Sequence, residues 1–215
     1  MSRSRRWAGL ALLCVGLLIV GWCAWQFVGT NWTSHRAQRQ VIEQLEDAWA
    51  TQDTEAQTDR GTARALVRIP RFGKDYRVPI LEGTDEEALA SGFGHLEGTA
   101  EAGEVGNYVL SGHRVTHGEP LRNMPDLTAG DLVIVETASR ILTYELTSDG
   151  DALDLPFTAT WVTAPTPRNP DPGGVSAPDA EQILTLTTCA SLFHTDRRLV
   201  AFARLIAEEP RPTRG

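Results

Sequence analysis

A single cysteine stands apart from the other two in this chain. Cys14 and Cys23 lie in an apolar N-terminal stretch, whereas Cys189 ends the threonine-rich run "LTLTTC" far downstream. A thiol without a disulfide partner is either buried and inert or kept for its reactivity. A nucleophilic thiol needs a base or partner cation, a group that stabilises an oxyanion, and access for the substrate.

His113 is the histidine best suited to act as the base. It ends the apolar run "NYVLSGH" beside Gly112, 76 residues before Cys189, and the end of a strand at a barrel rim fixes the backbone while the side chain faces a groove. The remaining histidines are less suited: His35 lies in the stalk, His95 follows two glycines at a turn, and His117 and His194 lie in loops. One cysteine and scattered histidines give no close ligand pair of zinc spacing, so the sequence predicts no metal site.

Two adjacent arginines, Arg197 and Arg198, open the apolar run that follows Cys189. Side chains alternate across a strand, so the two guanidinium groups face opposite ways. Alternation alone does not say which of the two faces a groove. Either one is a candidate to stabilise developing negative charge.

The elements that must position these residues follow an apolar N-terminal segment. Residues 7–29 contain no charged residue and follow three arginines; as a helix they would reach ~34 Å, enough to cross a bilayer. The apolar run is longer than the usual hydrophobic region of a secretory signal peptide, and no small-residue cleavage site follows it. We therefore predict an uncleaved single-pass membrane anchor, with a cytoplasmic N-terminus and an extracellular domain.

Net charge narrows the possible partners. The chain carries −8 overall, and without its three N-terminal arginines the part from residue 31 onward carries −11. Such an acidic domain does not bind nucleic acid. Outside the cell, Cys189 has no second cysteine with which to form an intramolecular disulfide, which makes it a candidate nucleophile.

The rest of the chain is predicted to form a marginal helix, a polar spacer and a β domain. Residues 35–50 have helical composition, and an equally weighted alternative is a disordered stalk. From Ala65 about eight short strand candidates follow, with one short helix at 84–91 opened by Thr84. They include the run 158–164, and a loop rich in proline and glycine occupies 165–180. This series predicts an all-β domain, a mostly antiparallel barrel or sandwich.

These features divide the chain into five parts. The predicted boundaries are a cytoplasmic basic segment at 1–6, a transmembrane helix at 7–29, a stalk or linker at 30–63, a catalytic domain at 64–208 and a tail at 209–215.

The motifs around His113 and Cys189 resemble those of sortases. "TLTTC" at 185–189 fits the TLxTC signature, and the run "EGTDEEALASGFGHLEGTAEAGEVGNYVLSGHRVTHGEPLRNM" is similar to the class E sortases of actinobacteria. The resemblance spans roughly residues 66–206. It implies a closed eight-stranded sortase-type β-barrel with one or two short helices, and a cysteine transpeptidase that needs no cofactor.

The resemblance also assigns roles to residues. His113, Cys189 and Arg198 match the catalytic positions of the family, and Arg198 is preferred to Arg197 because the family's arginine begins the closing strand. Thr188 is similar to the threonine that helps to hold substrate or oxyanion. Two positions depart from the family pattern: Ser191 stands where a proline is common, and Phe93 replaces the proline of a "GPGH" block.

The activity implied is the sorting of exported proteins. Cys189 would attack the bond between Thr and Gly in an LAxTG- or LPxTG-like C-terminal signal, and His113 would protonate the leaving amine. An amine of a lipid-linked peptidoglycan precursor or wall peptide would then resolve the thioester. The expected partners are thus secreted proteins that carry the signal, the wall amine, and the membrane through the N-terminal helix.

Other functions remain open at this point. A pilus-polymerising sortase has the same chemistry, although no lid motif with an aspartate–aromatic pair precedes the domain. A membrane-tethered β-domain that binds cell-wall components would leave Cys189 merely buried. An exported papain-like peptidase or an L,D-transpeptidase is disfavoured, because the histidine precedes the cysteine by 76 residues.

Overall fold

The computed structural model describes residues 3–25, 29–189 and 196–212. Within them the chain forms three α-helices, α1 (Arg3–Ala24), α2 (Thr30–Ala50) and α3 (Glu86–Ser91), and three single-turn 3-10 helices. None of the helices in the described part is long and apolar enough to cross a membrane. The membrane-spanning helix at 7–29 therefore stays a prediction.

Ten strands make up most of the remaining structure. They are β1 (Ala56–Thr58), β2 (Gly61–Arg68), β3 (Val78–Glu82), β4 (Phe93–His95), β5 (Gly106–Ser111), β6 (Leu132–Glu136), β7 (Arg140–Leu146), β8 (Leu153–Pro156), β9 (Gln182–Cys189) and β10 (Arg197–Pro210).

Eight of these strands close into a barrel. The hydrogen-bonded order is β2-β3-β4-β5-β9-β10-β7-β6, and β6 pairs back with β2. β1 adds a hairpin to β2, and β8 pairs with β10 outside the ring. The pairs β3–β4 and β5–β9 are parallel and the others in the ring are antiparallel. The predicted closed eight-stranded barrel with few helices is confirmed.

The barrel interior holds the main hydrophobic core. It is built from large side chains from around the ring, among them Phe93, Leu110, Tyr144 and Leu186, all of which are fully buried or nearly so. Alternate residues of each strand supply them, as a closed barrel requires. The strands therefore form a rigid frame whose ends can position side chains.

Helix α2 packs against the outside of the barrel. Val41, Leu45 and Trp49, spaced one helical turn apart, are buried against Leu66 and Leu81. The segment 30–63, expected to be a stalk or linker, thus contains a packed helix, β1 and the start of β2. A stripe of one apolar residue per turn is too narrow to stabilise a helix alone, so the barrel surface supplies the partner that the sequence pattern does not show.

Two local expectations were wrong. The run 158–164 was predicted as a strand, but it holds a 3-10 helix (Thr160–Thr163). The buried amide of Asn107 donates to the carbonyl oxygens of Val162 and Ala164, which turns this segment toward the barrel instead of into a sheet. Helix α3 is capped by the Asp85 carboxylate, which accepts from two backbone N–H groups, and not by Thr84.

Candidate active site

The parallel pair β5–β9 brings the histidine and the cysteine to one end of the barrel. Ser111 lies opposite Thr187 in the register, and Gly112 extends the ladder by donating its N–H to the Thr187 carbonyl over 3.1 Å. His113 lies two residues beyond Ser111, as Cys189 lies two beyond Thr187. Because parallel strands end on the same side of a sheet, the two residues meet at neighbouring strand ends.

Arg198 joins the same site through the antiparallel pair β9–β10. It lies directly opposite Cys189 in the register, and directly opposite positions share one face of a sheet. The structure describes the backbone of Cys189, whereas its side chain and residues 190–195, including Ser191 and His194, lie outside the described part.

The burial pattern of β10 shows whether this face points into the barrel or away from it. Leu199 and Ala201 point into the main core inside the barrel. Val200 and Phe202, which share the parity of Arg198, pack on the outer face against a second apolar cluster that contains Val162. The position of Cys189 opposite Arg198 is therefore on the outer face, flanked by the segment that carries β8 and the 3-10 helix.

The two arginines make different contacts. The Arg198 guanidinium stacks 3.2 Å from the centre of the exposed Phe157 ring, a cation–π contact. Arg197 is exposed, and its Nε lies 2.9 Å from a carboxylate oxygen of Asp154. Arg198 is half-buried on the face described above, and its contact with the Phe157 ring helps to orient the guanidinium.

His113 is half-buried and its ring is held close to a second histidine. The rings of His113 and His117 are 4.9 Å apart. Burial, and to a smaller extent His117, lowers the pKa of His113 to about 4. The His113 Nε2 is buried and has no hydrogen-bond partner in the described part of the chain. Burial thus favours the neutral form of the His113 imidazole, in which one ring nitrogen carries no proton.

Thr188 faces inward, away from this face. Its hydroxyl is buried and donates to the Gly112 carbonyl oxygen over 2.7 Å. Thr187 has the parity of Cys189 instead, and its hydroxyl is buried without a hydrogen-bond partner among the described residues. The alternation of side chains along β9 puts the two hydroxyls on opposite faces of the strand, and a role of Thr188 in substrate binding stays a prediction.

Phe93 supports the turn that leads into His113. Its ring is fully buried in the core, and a Cβ at Gly112 would meet that ring at 3.2 Å. The aromatic side chain that replaces the family's proline therefore packs beneath Gly112.

His95 belongs to a separate cluster. Its Nδ1 lies 3.0 Å from a Glu82 carboxylate oxygen, and its Nε2 lies 3.1 Å from the Ala100 carbonyl oxygen. Within the described residues, the histidine and the carboxylates of Glu82 and Glu101 have the spacing of metal ligands. The Arg64 guanidinium lies 2.7 Å from Glu101 and 3.3 Å from Glu82, so a cation of the protein itself already neutralises this group.

The chain is similar to known proteins over the region that contains this site. The family model described as "Sortase domain" matches residues 67–206. Sortase SrtE1 of Streptomyces coelicolor is 30% identical over 211 residues, which are 94% of this chain and 57% of that protein. The chain thus spans little more than half the length of that relative.

Solved structures of similar proteins share the fold. The structure of sortase E from Streptomyces avermitilis is 33% identical with a TM-score of 0.60, covering 71% of this chain and 93% of that one. Sortase E1 from Streptomyces coelicolor, solved with a tripeptide in its active site, is 32% identical with a TM-score of 0.56, covering 73% and 94%.

Proposed function

Since the chain belongs to the sortase family of cysteine transpeptidases, we propose that it cleaves a C-terminal sorting signal through a thioacyl intermediate on Cys189. The signal is an LAxTG- or LPxTG-like pentapeptide, cut between Thr and Gly, and an amine of a cell-wall precursor accepts the acyl group. The observation that carries the proposal is the register of three strands, which gathers His113, Cys189 and Arg198 at one end of the barrel.

The chemistry divides into two acyl transfers. In the first, neutral His113 takes the thiol proton of Cys189, sulfur attacks the Thr carbonyl carbon, and His113 returns the proton to the departing Gly amine. In the second, the acceptor amine attacks the thioester, His113 removes its proton, and the proton returns to the Cys189 sulfur. One peptide bond breaks and one forms, so no oxidant or cofactor is consumed.

Arg198 is proposed to stabilise the oxyanion that forms in both steps. Its guanidinium is half-buried on the outer face of the barrel, in register with the nucleophile. A donor aimed at developing charge in a site that excludes water lowers the barrier by several kcal/mol, about 2.7–4 in known acyl transfers. The low pKa of His113 supports the same cycle because it keeps the base unprotonated at pH 7.

The proposed setting is the outer side of the cell membrane. The large apolar side chains of α1 whose exposure the structure describes are accessible, with Leu12 and Leu18 each 74% exposed. A contiguous apolar surface of this kind is typical of a segment that contacts a membrane or another protein. Tethering by residues 7–29 would account for that surface. Extraction of membranes with alkaline carbonate should release a chain that lacks residues 1–29 and retain the full chain.

Mass spectrometry tests the reaction directly. The full chain is incubated with LAxTG and LPxTG peptides, and a thioacyl adduct is sought on Cys189. We expect the adduct, release of the glycine-containing fragment, and transfer to an added glycyl peptide amine. Cys189→Ala should give none of these. Cleavage retained in that variant would refute the mechanism, and a thiol unreactive toward both peptides and iodoacetamide would favour a non-catalytic wall-binding domain.

A further inference from the structure

Helix α2 makes polar contacts with the loop that follows β5. The Gly118 N–H donates to the Asn31 side-chain oxygen over 2.9 Å, and the Asn31 amide donates in turn to the Glu119 carboxylate. Gly118 also lies flat against the helix: a Cβ there would come within 2.5 Å of the Gln38 side-chain nitrogen and 3.2 Å of the Ser34 Cβ. One residue near the start of α2 thus binds two consecutive residues of the loop.

The conformation of this loop requires support from outside. His117, Gly118 and Glu119 have φ angles of 56°, 81° and 48°, a run of three in the left-handed region. For residues other than glycine that region costs of order 1–3 kcal/mol each. Asn31 offsets part of this cost, because it satisfies the Gly118 N–H and holds the Glu119 side chain only when the loop turns this way.

The loop is directly coupled to His113. It starts at that residue and returns to it, since the Leu121 N–H donates to the His113 carbonyl oxygen over 3.0 Å. His117, the first left-handed residue, places its ring 4.9 Å from the His113 ring. A change in the turn at 117–119 would therefore move the imidazole ring that lies beside the proposed base.

We propose that Asn31 is a positioning residue for His113. Through Gly118 and Glu119 it fixes the loop 113–121, so that α2 forms part of the support of the active site and is not only a connection to the N-terminal helix. The catalytic consequence rests on the proposed function, whereas the effect on the environment of His113 does not.

Asn31→Asp in the full chain tests this proposal. The new carboxylate still accepts from Gly118 but repels Glu119, so the loop should leave its left-handed turn. We expect kcat/KM for a sorting peptide to fall about tenfold, mainly through kcat, and the NMR titration curve of His113 to shift. Adding Glu119→Gln to this variant restores a donor–acceptor pair and should recover most of the loss.

Gln40→Glu is the matched control. It makes the same change from amide to carboxylate at an exposed position of the same helix, and kcat/KM should stay within about twofold of the wild type. Asn31→Ala serves as a second variant that adds no charge, and it should reproduce the direction of both effects. Circular dichroism checks that each variant is folded.

The outcomes separate the two proposals. If Asn31→Asp and Asn31→Ala match Gln40→Glu in both kinetics and the His113 titration, the positioning role is refuted. If the wild type cleaves no sorting peptide, the proposed function fails, and the titration of His113 in the same variants still decides whether Asn31 positions it.

Discussion

Thr188 and Gly112 are joined by a buried hydrogen bond, 2.7 Å long, from the threonine hydroxyl to the glycine carbonyl oxygen. Each residue immediately precedes one of the two proposed reacting groups, Cys189 and His113. The bond therefore sets the distance between the end of β9 and the turn after β5. A threonine that the family pattern associates with substrate is, in this structure, tied to the backbone of the histidine turn.

The two adjacent threonines should respond differently to the loss of their hydroxyls. Thr188→Val leaves the Gly112 carbonyl without its buried donor, so we expect the free energy of unfolding to fall by about 1–3 kcal/mol. Thr187→Val removes a buried hydroxyl that has no partner in the described residues, so stability should change by less than about 0.5 kcal/mol while the KM for peptide rises. Urea denaturation and peptide kinetics measure the two effects. Equal losses of stability in both variants would contradict this assignment.

Replacing each of the two arginines in turn tests the oxyanion role. Arg198→Ala should lower kcat/KM about 100-fold or more, because it removes a donor to the developing charge. Arg197→Ala breaks an exposed ion pair with Asp154; such a pair is worth about 1 kcal/mol or less to stability, and the substitution should leave kcat/KM within about threefold. Steady-state kinetics with one peptide compares kcat/KM of the two variants. If Arg197→Ala lowers kcat/KM more than Arg198→Ala does, the oxyanion role belongs to Arg197.

The buried neutral state of His113 should make folding dependent on pH. Its pKa is 6.5 in an exposed setting and about 4 in the folded protein, so between these values the unfolded chain binds more protons. The contribution of His113 to the free energy of unfolding is therefore fully present above pH 6.5 and is lost as pH falls toward 4. His113→Gln lacks this loss, so it should gain stability relative to the wild type between pH 6.5 and 4. If the free energies of unfolding of the wild type and of His113→Gln differ by the same amount at every pH in that range, His113 is not buried as a neutral ring.

Helix α2 should behave as part of the folded domain. Leu45 is fully buried against the barrel, so Leu45→Ala should lower the free energy of unfolding by about 2–5 kcal/mol. Glu43→Ala alters an exposed position of the same helix and should change it by less than about 0.5 kcal/mol. Thermal or urea denaturation compares the two. A loss below about 1 kcal/mol for Leu45→Ala would mean that α2 is a stalk that does not pack against the barrel.

Most strands of the barrel could be predicted from the sequence, because each has a local pattern typical of a strand. Short apolar runs in β6, β7, β9 and β10, with threonines in β7 and β9, identify strands regardless of their partners. The packing of α2 left no such signal, since its apolar stripe is narrow and its stability comes from contact with β2 and β3. The 3-10 helix at Thr160–Thr163 was mistaken for a strand because its contacts with Asn107 lie more than fifty residues away in sequence.

Within the site, residue types could be predicted but faces could not. The sequence singled out His113 and Cys189 as candidate base and nucleophile, whereas the choice of Arg198 over Arg197 came from the family resemblance. Only the register and the burial of Val200 and Phe202 identify the outer face on which Arg198 lies. The contact between Asn31 and the loop joins residues 87 positions apart, and no local pattern encodes a pairing of that kind.

If α1 is embedded in a bilayer as proposed, the bond between Asn31 and Gly118 would also limit the reach of the proposed active site. Helix α1 ends at Ala24, seven residues before Asn31, and seven residues of chain extend at most ~25 Å. With α1 embedded in a bilayer, the catalytic loop would stay within that height of the point where the chain leaves the helix. Acceptor amines on membrane lipids would then be within its range, while a sorting signal carried farther out in the wall would have to be delivered back to the membrane surface.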